Sequence, residues 1–315
     1  MKNRFFSLVF MFIGIILAAK TPVTSADENP SELRTGLSKS SNPVPDAEKV
    51  DEVLTNANLR AYSGSKSRWS VSNSITYNGG TVANPFGEGR PNIANASAIS
   101  IDTDINDQIG VKYNLTALNS LLIGVGMRKM APFTGSGPSA SFKEQGGKDI
   151  DLYDPSLTYQ HVYKLAGIQA VAQLGYVQFT RQDIHSADGG NLDRALSFDQ
   201  ENIYEIGRWS IGGSLGFGGN LPTDPTQDYS QYQFWFDPYV EFRLNDTFNL
   251  RTVANSWSYE YYSVTKIVHD TYTQSVGVGW SVSRDTFLYP NVQFLPGQMA
   301  WANTNVGATA TVNLF

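Results

Sequence analysis

Few residues in this chain have the type and spacing for covalent chemistry. A hydrolytic site needs a histidine beside a nucleophile or held between acids, and the sequence offers only His161, His185 and His269. The stretch "FTRQDIHSADGG" comes nearest, placing Asp183, His185 and Asp188 together; the same arrangement suits a solvated loop tip. "DTDIND" sets Asp102, Asp104 and Asn106 two residues apart. That resembles the start of a calcium loop, but the glycine and distal glutamate are missing, and a strand would splay the ligands along a line. The glycines of "GGSLGFGG" (212–219) fall on one strand face, which points to packing or to interior space rather than a phosphate loop. The reading is a protein that is not an enzyme and uses no metal and no cofactor.

What remains are charges whose meaning depends on the elements that carry them. From Arg68 onward the hydrophobic period is two. "WSVSNSITY" sets Trp69, Val71, Ile75 and Tyr77 against Ser70, Ser72, Ser74 and Thr76, and "WSIGGSLGF" and "YTQSVGVGWSV" repeat the scheme. Short connections at 117–120, 164–167, 207–208, 245–247 and 283–285 take turns with long polar ones near 79–96, 131–154, 181–194, 220–231, 261–269 and 295–302. Residues 97–116 could be two strands, yet Ile99, Ile101, Ile105, Ile109, Val111, Tyr113 and Leu115 keep one phase, and a one-residue slip would flip every side chain. The pattern predicts twelve strands: 68–78, 97–116, 120–130, 155–164, 167–180, 195–207, 209–219, 232–244, 247–260, 270–283, 285–294 and 303–315.

The apolar face carries aromatic residues near the short connections: Trp69, Tyr163, Trp209, Phe242, Phe248 and Trp280. Amphipathic rings of this kind sit well at a membrane interface. The opposite face carries Lys112, Arg128, Asp199, Glu201, Glu205, Asp237, Glu241, Arg243 and Arg251, spaced among small residues. If the strands close into a ring with that face inward, Lys112 looks toward Asp237 and Glu241, a transverse field across a lumen. Pairing between adjacent strands, bracing the wall, is the equally physical alternative.

The N-terminal part is different. Lys2 and Arg4, the run "FFSLVFMFIGIILAA" and the small residues of "KTPVTSA" predict a secretory signal peptide over residues 1–26, cut after Ala26. Removing Lys2, Arg4 and Lys20 from the 23 basic residues, against 29 acids, leaves a charge of about −9. That excludes a nucleic-acid partner, whose phosphates require basic patches. There is no cysteine, so an exported chain must draw stability from a large sheet or core. Residues 27–67 are rich in Ser, Asn, Pro and charge, with one amphipathic patch, Val50, Val53, Leu54 and Ala57, after Pro45 and a predicted N-cap at Asp46. They read as a linker with a short helix, either free in the periplasm or docked as a plug in the domain formed by 68–315.

Taken together, the signal segment, the absence of cysteine, the alternating strands, short turns opposite long loops and a final strand ending in Phe315 resemble bacterial outer-membrane β-barrel proteins, porin-like, of about twelve strands. The apolar set Leu314, Val312 and Ala310 is one residue out of phase with Phe315, a departure from that pattern. The resemblance implies an all-β, transmembrane, antiparallel up-and-down barrel in the outer membrane of a Gram-negative bacterium. It also implies outer-membrane lipid as a partner and Phe315 as the insertion signal read by the barrel-insertion machinery. The expected function is a channel for passive diffusion of small polar solutes, with selectivity set by the inward charges. The alternative is a closed structural or surface-interaction barrel acting through its extracellular loops.

Overall fold

The computed structural model describes residues 46, 48–87, 89–90, 103–134, 150–180, 192–226, 229–255, 257–262, 266–269 and 272–315. Residues 1–26, Asp102 and the Asp183–Asp188 stretch lie outside them.

The period of two becomes fourteen β segments in one antiparallel sheet. They are β1 (Trp69–Thr81), β2 (Asp104–Asn114), β3 (Asn119–Met130), β4 (Ile150–Leu165), β5 (Ile168–Gln178), β6 (Leu192–Ile206) and β7 (Trp209–Pro222). β8 (Ser230–Arg243), β9 (Phe248–Asn255), β10 (Trp257–Tyr262), β11 (Ile267–His269), β12 (Thr273–Ser283), β13 (Thr286–Phe294) and β14 (Asn305–Leu314) follow. Among the described residues consecutive segments pair, except β9 with β10 and β11 with β12, and β1 also pairs with β14. β9 and β10 lie end to end along β8, while β11 and β12 lie end to end along β10 and β9. The fourteen segments therefore make twelve staves of a closed up-and-down barrel. The short Ala166–Gly167 connection has φ of 51° and 86° at its two residues, the handedness that matches twisted hairpin strands.

The polarity is inverted relative to a soluble protein. Val111, Ile123, Leu157, Leu174, Leu196, Ile211, Phe234 and Leu250 are exposed on the outside, while Ser70, Lys112, Gln160, Gln169 and Glu241 are buried within. Exposed apolar side chains outside and polar ones inside define a transmembrane barrel. Ring pairs on adjacent strands mark the short-turn rim: Trp69 with Tyr113 at 4.6 Å, Trp209 with Phe242 at 4.7 Å and Phe248 with Trp280 at 5.9 Å. Tyr163 stacks there on His161 at 5.6 Å. At the other rim Tyr77 and Phe86 meet Phe133 at 5.3 and 5.1 Å, and Tyr232 meets Phe217 and Tyr261 at 5.9 and 6.3 Å.

β1, β6 and β7 each run about three residues past an expected end, to Thr81, from Leu192 and to Pro222, and two further details differ from the sequence pattern. Residues 267–269, expected within a loop, form β11 because they pair with Tyr259–Tyr261 and extend the wall. β4 begins at Ile150, earlier than expected, where a bulge opposite Gly124 and Gly126 lets it continue past Pro155. β2 runs unbroken through Asn106 and Asp107.

The inward glycines do not simply widen the lumen. A Cβ on Gly126 would meet the Tyr153 ring at 2.8 Å, and one on Gly216 would meet the Trp235 ring. On Gly212 it would strike the Asn202 carbonyl oxygen and the Tyr239 ring. These glycines give room for aromatic side chains of the neighbouring strand to lie along the wall. Gly212→Ala collides with backbone, which cannot swing aside. The expected result is a loss of about 1–3 kcal/mol, seen as a lower urea midpoint for the folded barrel. An unchanged midpoint would mean the wall is not packed this closely.

Candidate functional site in the barrel lumen

The candidate site is the lumen near the short-turn end, and the N-terminal segment occupies it. Two short helices form, α1 (Lys49–Val53) and α2 (Ala57–Ser63). The amphipathic patch had suggested one helix capped by Asp46. Instead Glu48 stands at the N-cap position with no side-chain cap, and the chain turns extended at Leu54. Asn56 then caps α2 by accepting from the Leu59 amide at 3.1 Å. The break has a cause in the wall. Gln169 Oε1 on β5 accepts from the amides of Thr55 at 2.7 Å and Asn56 at 3.0 Å, which a continuous helix would have used internally.

Apolar contacts come from several strands. Val50, Leu54 and Leu59 pack with Val162 of β4, Val171 of β5, Ile203 of β6 and Tyr239 of β8, and Ala61 packs with Phe287 and Tyr289 of β13. Leu54 and Leu59 are fully buried, each contributing roughly 1.5–3 kcal/mol by the usual area scaling. Polar contacts complete the circle. Glu205 of β6 accepts from Thr55 Oγ1 at 2.5 Å, Glu241 of β8 from Asn56 Nδ2 at 2.9 Å and Gln173 of β5 from the Tyr62 hydroxyl at 2.9 Å. Asn313 of β14 donates to the Ala61 carbonyl at 2.7 Å, and Asn114 of β2 donates to the Ser65 carbonyl at 2.9 Å. Partners on strands all around the ring place residues 48–67 inside the barrel.

The charged residues take distinct positions. Lys112 does not reach across to Glu241; it is buried, and its ammonium donates to the Ser63 carbonyl at the end of α2 and to Gln160 Oε1 at 2.6 Å. Glu241 and Arg251 are cross-strand neighbours paired at 2.6 Å, with Glu201 at 3.8 Å from Arg251. The Arg251 guanidinium also lies 4.1 Å from the centre of the Tyr239 ring. Glu241 thus offers one oxygen to the wall arginine and the other to Asn56 of the segment. Glu205 also accepts from Gln169 Nε2 at 3.0 Å, and Asp199 accepts from Ser197 at 3.1 Å. Arg128 binds Asp104 at 2.7 Å toward the far end, Asp237 lies on the inward phase of β8, and Arg243 sits exposed at the rim, donating to the Gly207 carbonyl at 2.7 Å. Among the described residues no His, Asp and Glu group forms a metal-binding cluster.

Several contributors were not singled out from the sequence: Gln160, Gln169, Asn114, Asn313, Asp51, Lys66 and Arg284. Their only sequence signal is that the wall members are polar, on the inward phase, and next to short turns. Arg284, in the β12–β13 turn, holds Asp51 at 2.9 Å and the Gly64 carbonyl at 2.7 Å, while Lys66 holds Asp51 at 2.6 Å and Glu48 at 2.7 Å. Burial works to raise the Asp51 carboxyl, but the bonds and charges of Lys66 and Arg284 outweigh it and hold it below its ordinary 3.8. Burial works to lower Lys66, yet its bonds to Asp51 and Glu48 lift it above 10.5. At the C-terminus, Ser65 Oγ donates to the Phe315 carbonyl. Phe315 has φ of 81° and lies exposed just past the end of β14.

No protein-family model and no curated protein matches the sequence. Solved structures of similar shape include an outer membrane channel from Pseudomonas putida F1, with TM-score 0.48 and 12% identity over 80% of this chain and 97% of that one. The NanC porin gives 0.42 and 8% over 78% and 98%. OmpT, an outer membrane protein of Vibrio cholerae, gives 0.36 and 9% over 78% and 96%.

Two outcomes follow from the docking contacts. The Asp51 contribution is present above its ordinary 3.8 and is lost only as pH falls through its lower folded value; that of Lys66 is complete below 10.5 and is lost as pH rises through its higher one. Maleimide labelling of an Ala57→Cys variant, divided at each pH by the rate of a free thiol to remove the thiolate's own titration, should therefore be slow, with a ratio that stays flat between about pH 5 and 9. A steep change inside that window would refute this account. Glu241→Leu leaves Arg251 without its short partner and should cost roughly 3–5 kcal/mol; the double variant Glu241→Leu, Arg251→Met should recover much of the loss in a chemical-denaturation series.

Proposed function

We propose that the protein is a channel in the outer membrane of a Gram-negative bacterium. Small polar solutes pass through it by diffusion once its own N-terminal segment leaves the short-turn mouth. The observation that carries this reading is the contrast along the lumen. Ser74 and Gln108 are on the inward phase at mid-height and exposed, so the wall side chains do not fill the interior there. Nearer the short turns, closure is made by residues 48–67, held by hydrogen bonds, ion pairs and apolar packing and by no covalent link other than the chain itself. Twelve strands fall between eight, which side chains fill, and the 16–18 that leave a wide aqueous channel, so an occluding segment decides whether solute passes.

In this reading Asp199, Glu201, Glu205, Asp237 and Glu241 bias the open lumen toward cations, tempered by Lys112, Arg128, Arg243 and Arg251. The ring pairs of Trp69, Tyr163, Trp209, Phe242, Phe248 and Trp280 form the periplasmic interfacial girdle, in contact with outer-membrane lipid. Phe315 serves the barrel-insertion machinery as its signal. The second reading, a closed barrel working through its loops, draws support from the number of bonds that fix the segment.

Single-channel recording in a planar bilayer separates the two. The full-length protein should be silent or open briefly, and a variant lacking residues 46–63 should give steady, cation-selective openings. Silence from the deletion variant, with heat-modifiable migration proving a folded barrel, would overturn the channel reading and leave the closed barrel.

A further inference from the structure

We propose that the middle of the lumen holds a neutral ring sugar, stacked on the side chains of Trp235 and Tyr153. The inference rests on the channel reading, which makes the lumen the solute path, and names the class of solute. Both rings lie flat along the inner wall. Gly216 of β7 pairs with Trp235 of β8, and Gly126 of β3 with Tyr153 of β4. Both glycines are on the inward phase, so a Cβ added to either points into the lumen. On Gly216 it would strike the indole, and on Gly126 it would meet the Tyr153 ring at 2.8 Å. Each ring therefore covers the glycine of the preceding strand with one face and turns the other toward the lumen, and both residues are partly exposed.

Their height is that of the unfilled zone. Tyr153 shares a row with Ser74 and Gln108, both exposed, across Gly126. Trp235 stands seven residues up β8 from Phe242 at the short-turn rim. The two rings are four staves apart in the ring of twelve.

The groups beside the rings suit hydroxyls. Asp199 is in the row of Trp235, across Gly216, and Gln233 and Asp237 flank the indole on the same face of β8. Ser74 and Gln108 accompany Tyr153, with Arg128 two residues beyond Gly126. A ring sugar has apolar C–H faces and a rim of hydroxyl groups that both donate and accept. Its face matches an aromatic ring, and its rim matches carboxylates, carboxamides and hydroxyls set around that ring.

Other solutes match one ring at most. An anion is repelled by Asp199 and Asp237 beside Trp235. An organic cation suits Trp235, but at Tyr153 the charge of Arg128 is matched by Asp104 at 2.7 Å, and Gln108 and Ser74 offer donors that an ammonium cannot use. An open-chain polyol brings hydroxyls without the flat apolar face.

The test is saturation-transfer NMR on the full-length protein in nanodiscs, its fold verified by heat-modifiable migration. The probes are methyl β-glucoside, the open-chain polyol sorbitol, tetramethylammonium and gluconate. The proposal expects transfer to the ring C–H protons of the glucoside and weaker transfer to the other three. Trp235→Leu and Tyr153→Leu should each weaken glucoside binding roughly five- to tenfold. Phe217→Leu, on the exposed outer side of β7, should leave it unchanged. No transfer to the glucoside, equal transfer to sorbitol, a preference for tetramethylammonium or gluconate, or full binding in both ring variants would each overturn the inference. If a ring variant fails to fold, the comparison of the four probes still decides. Binding is read without conduction, so the two readings fail separately. Steady openings of the deletion variant with no glucoside bound would keep the channel and sink the sugar site; glucoside bound beside a silent deletion variant would keep the site and sink the channel.

Discussion

The structure depends on one constraint: every backbone N–H and C=O in the wall must find a partner within the wall, because hydrocarbon offers none. The sheet meets it by closing. The pairing of Tyr239–Arg243 on β8 with Asn249–Val253 on β9, and of β1 with β14, leaves no edge in the ring. Closure fixes the alternation of faces in turn, since a stave that slipped by one residue would turn its leucines inward and its carboxylates to lipid. The apolar outside and the crowded polar inside are two consequences of that single requirement.

Polar side chains turned inward create a second demand. At mid-height water can serve Ser74 and Gln108, which are exposed. Near the short turns Lys112, Gln169 and Glu241 are buried and must be served by protein. The N-terminal segment supplies what they lack: carbonyl oxygen for Lys112, backbone amides for Gln169 and a carboxamide for Glu241. It brings Leu54 and Leu59 as well, which meet Val162, Val171 and Ile203, apolar residues on the inward phase that would otherwise face water. Those inward apolar positions show that the wall is built for an occupant of mixed polarity, since a purely water-filled mouth would have no use for them.

The barrel was legible in the sequence because its defining signal is local and periodic. Ile105, Ile109 and Val111 keep phase within one strand, and the Ala166–Gly167 turn announces itself within four letters. The lumen was much less legible. Its contacts join residues far apart in the chain, as Ala61 with Asn313 or Asp51 with Arg284, and no short window of sequence carries them. The helix break at Leu54 illustrates the point. The spacing of Val50, Val53, Leu54 and Ala57 suits one continuous helix, and only the Gln169 side chain, more than a hundred residues away, makes two helices the better arrangement.

The same logic applies to charge. Sequence position alone places Lys112 on the inward face and opposite Glu241, where a field across an open lumen would result. With the segment in place each charge is answered at short range, Lys112 by Ser63 and Gln160, Glu241 by Arg251 and Asn56. Short-range answers outweigh a long-range field because Coulomb attraction falls with distance and is screened wherever water enters the lumen. Removing the segment would leave Glu241 paired with Arg251 in the wall and Lys112 without the Ser63 carbonyl, with water to take its place. Docking and charge placement are therefore one property of the same side chains: Lys112, Gln169 and Glu241 are buried among polar groups only because the segment answers them.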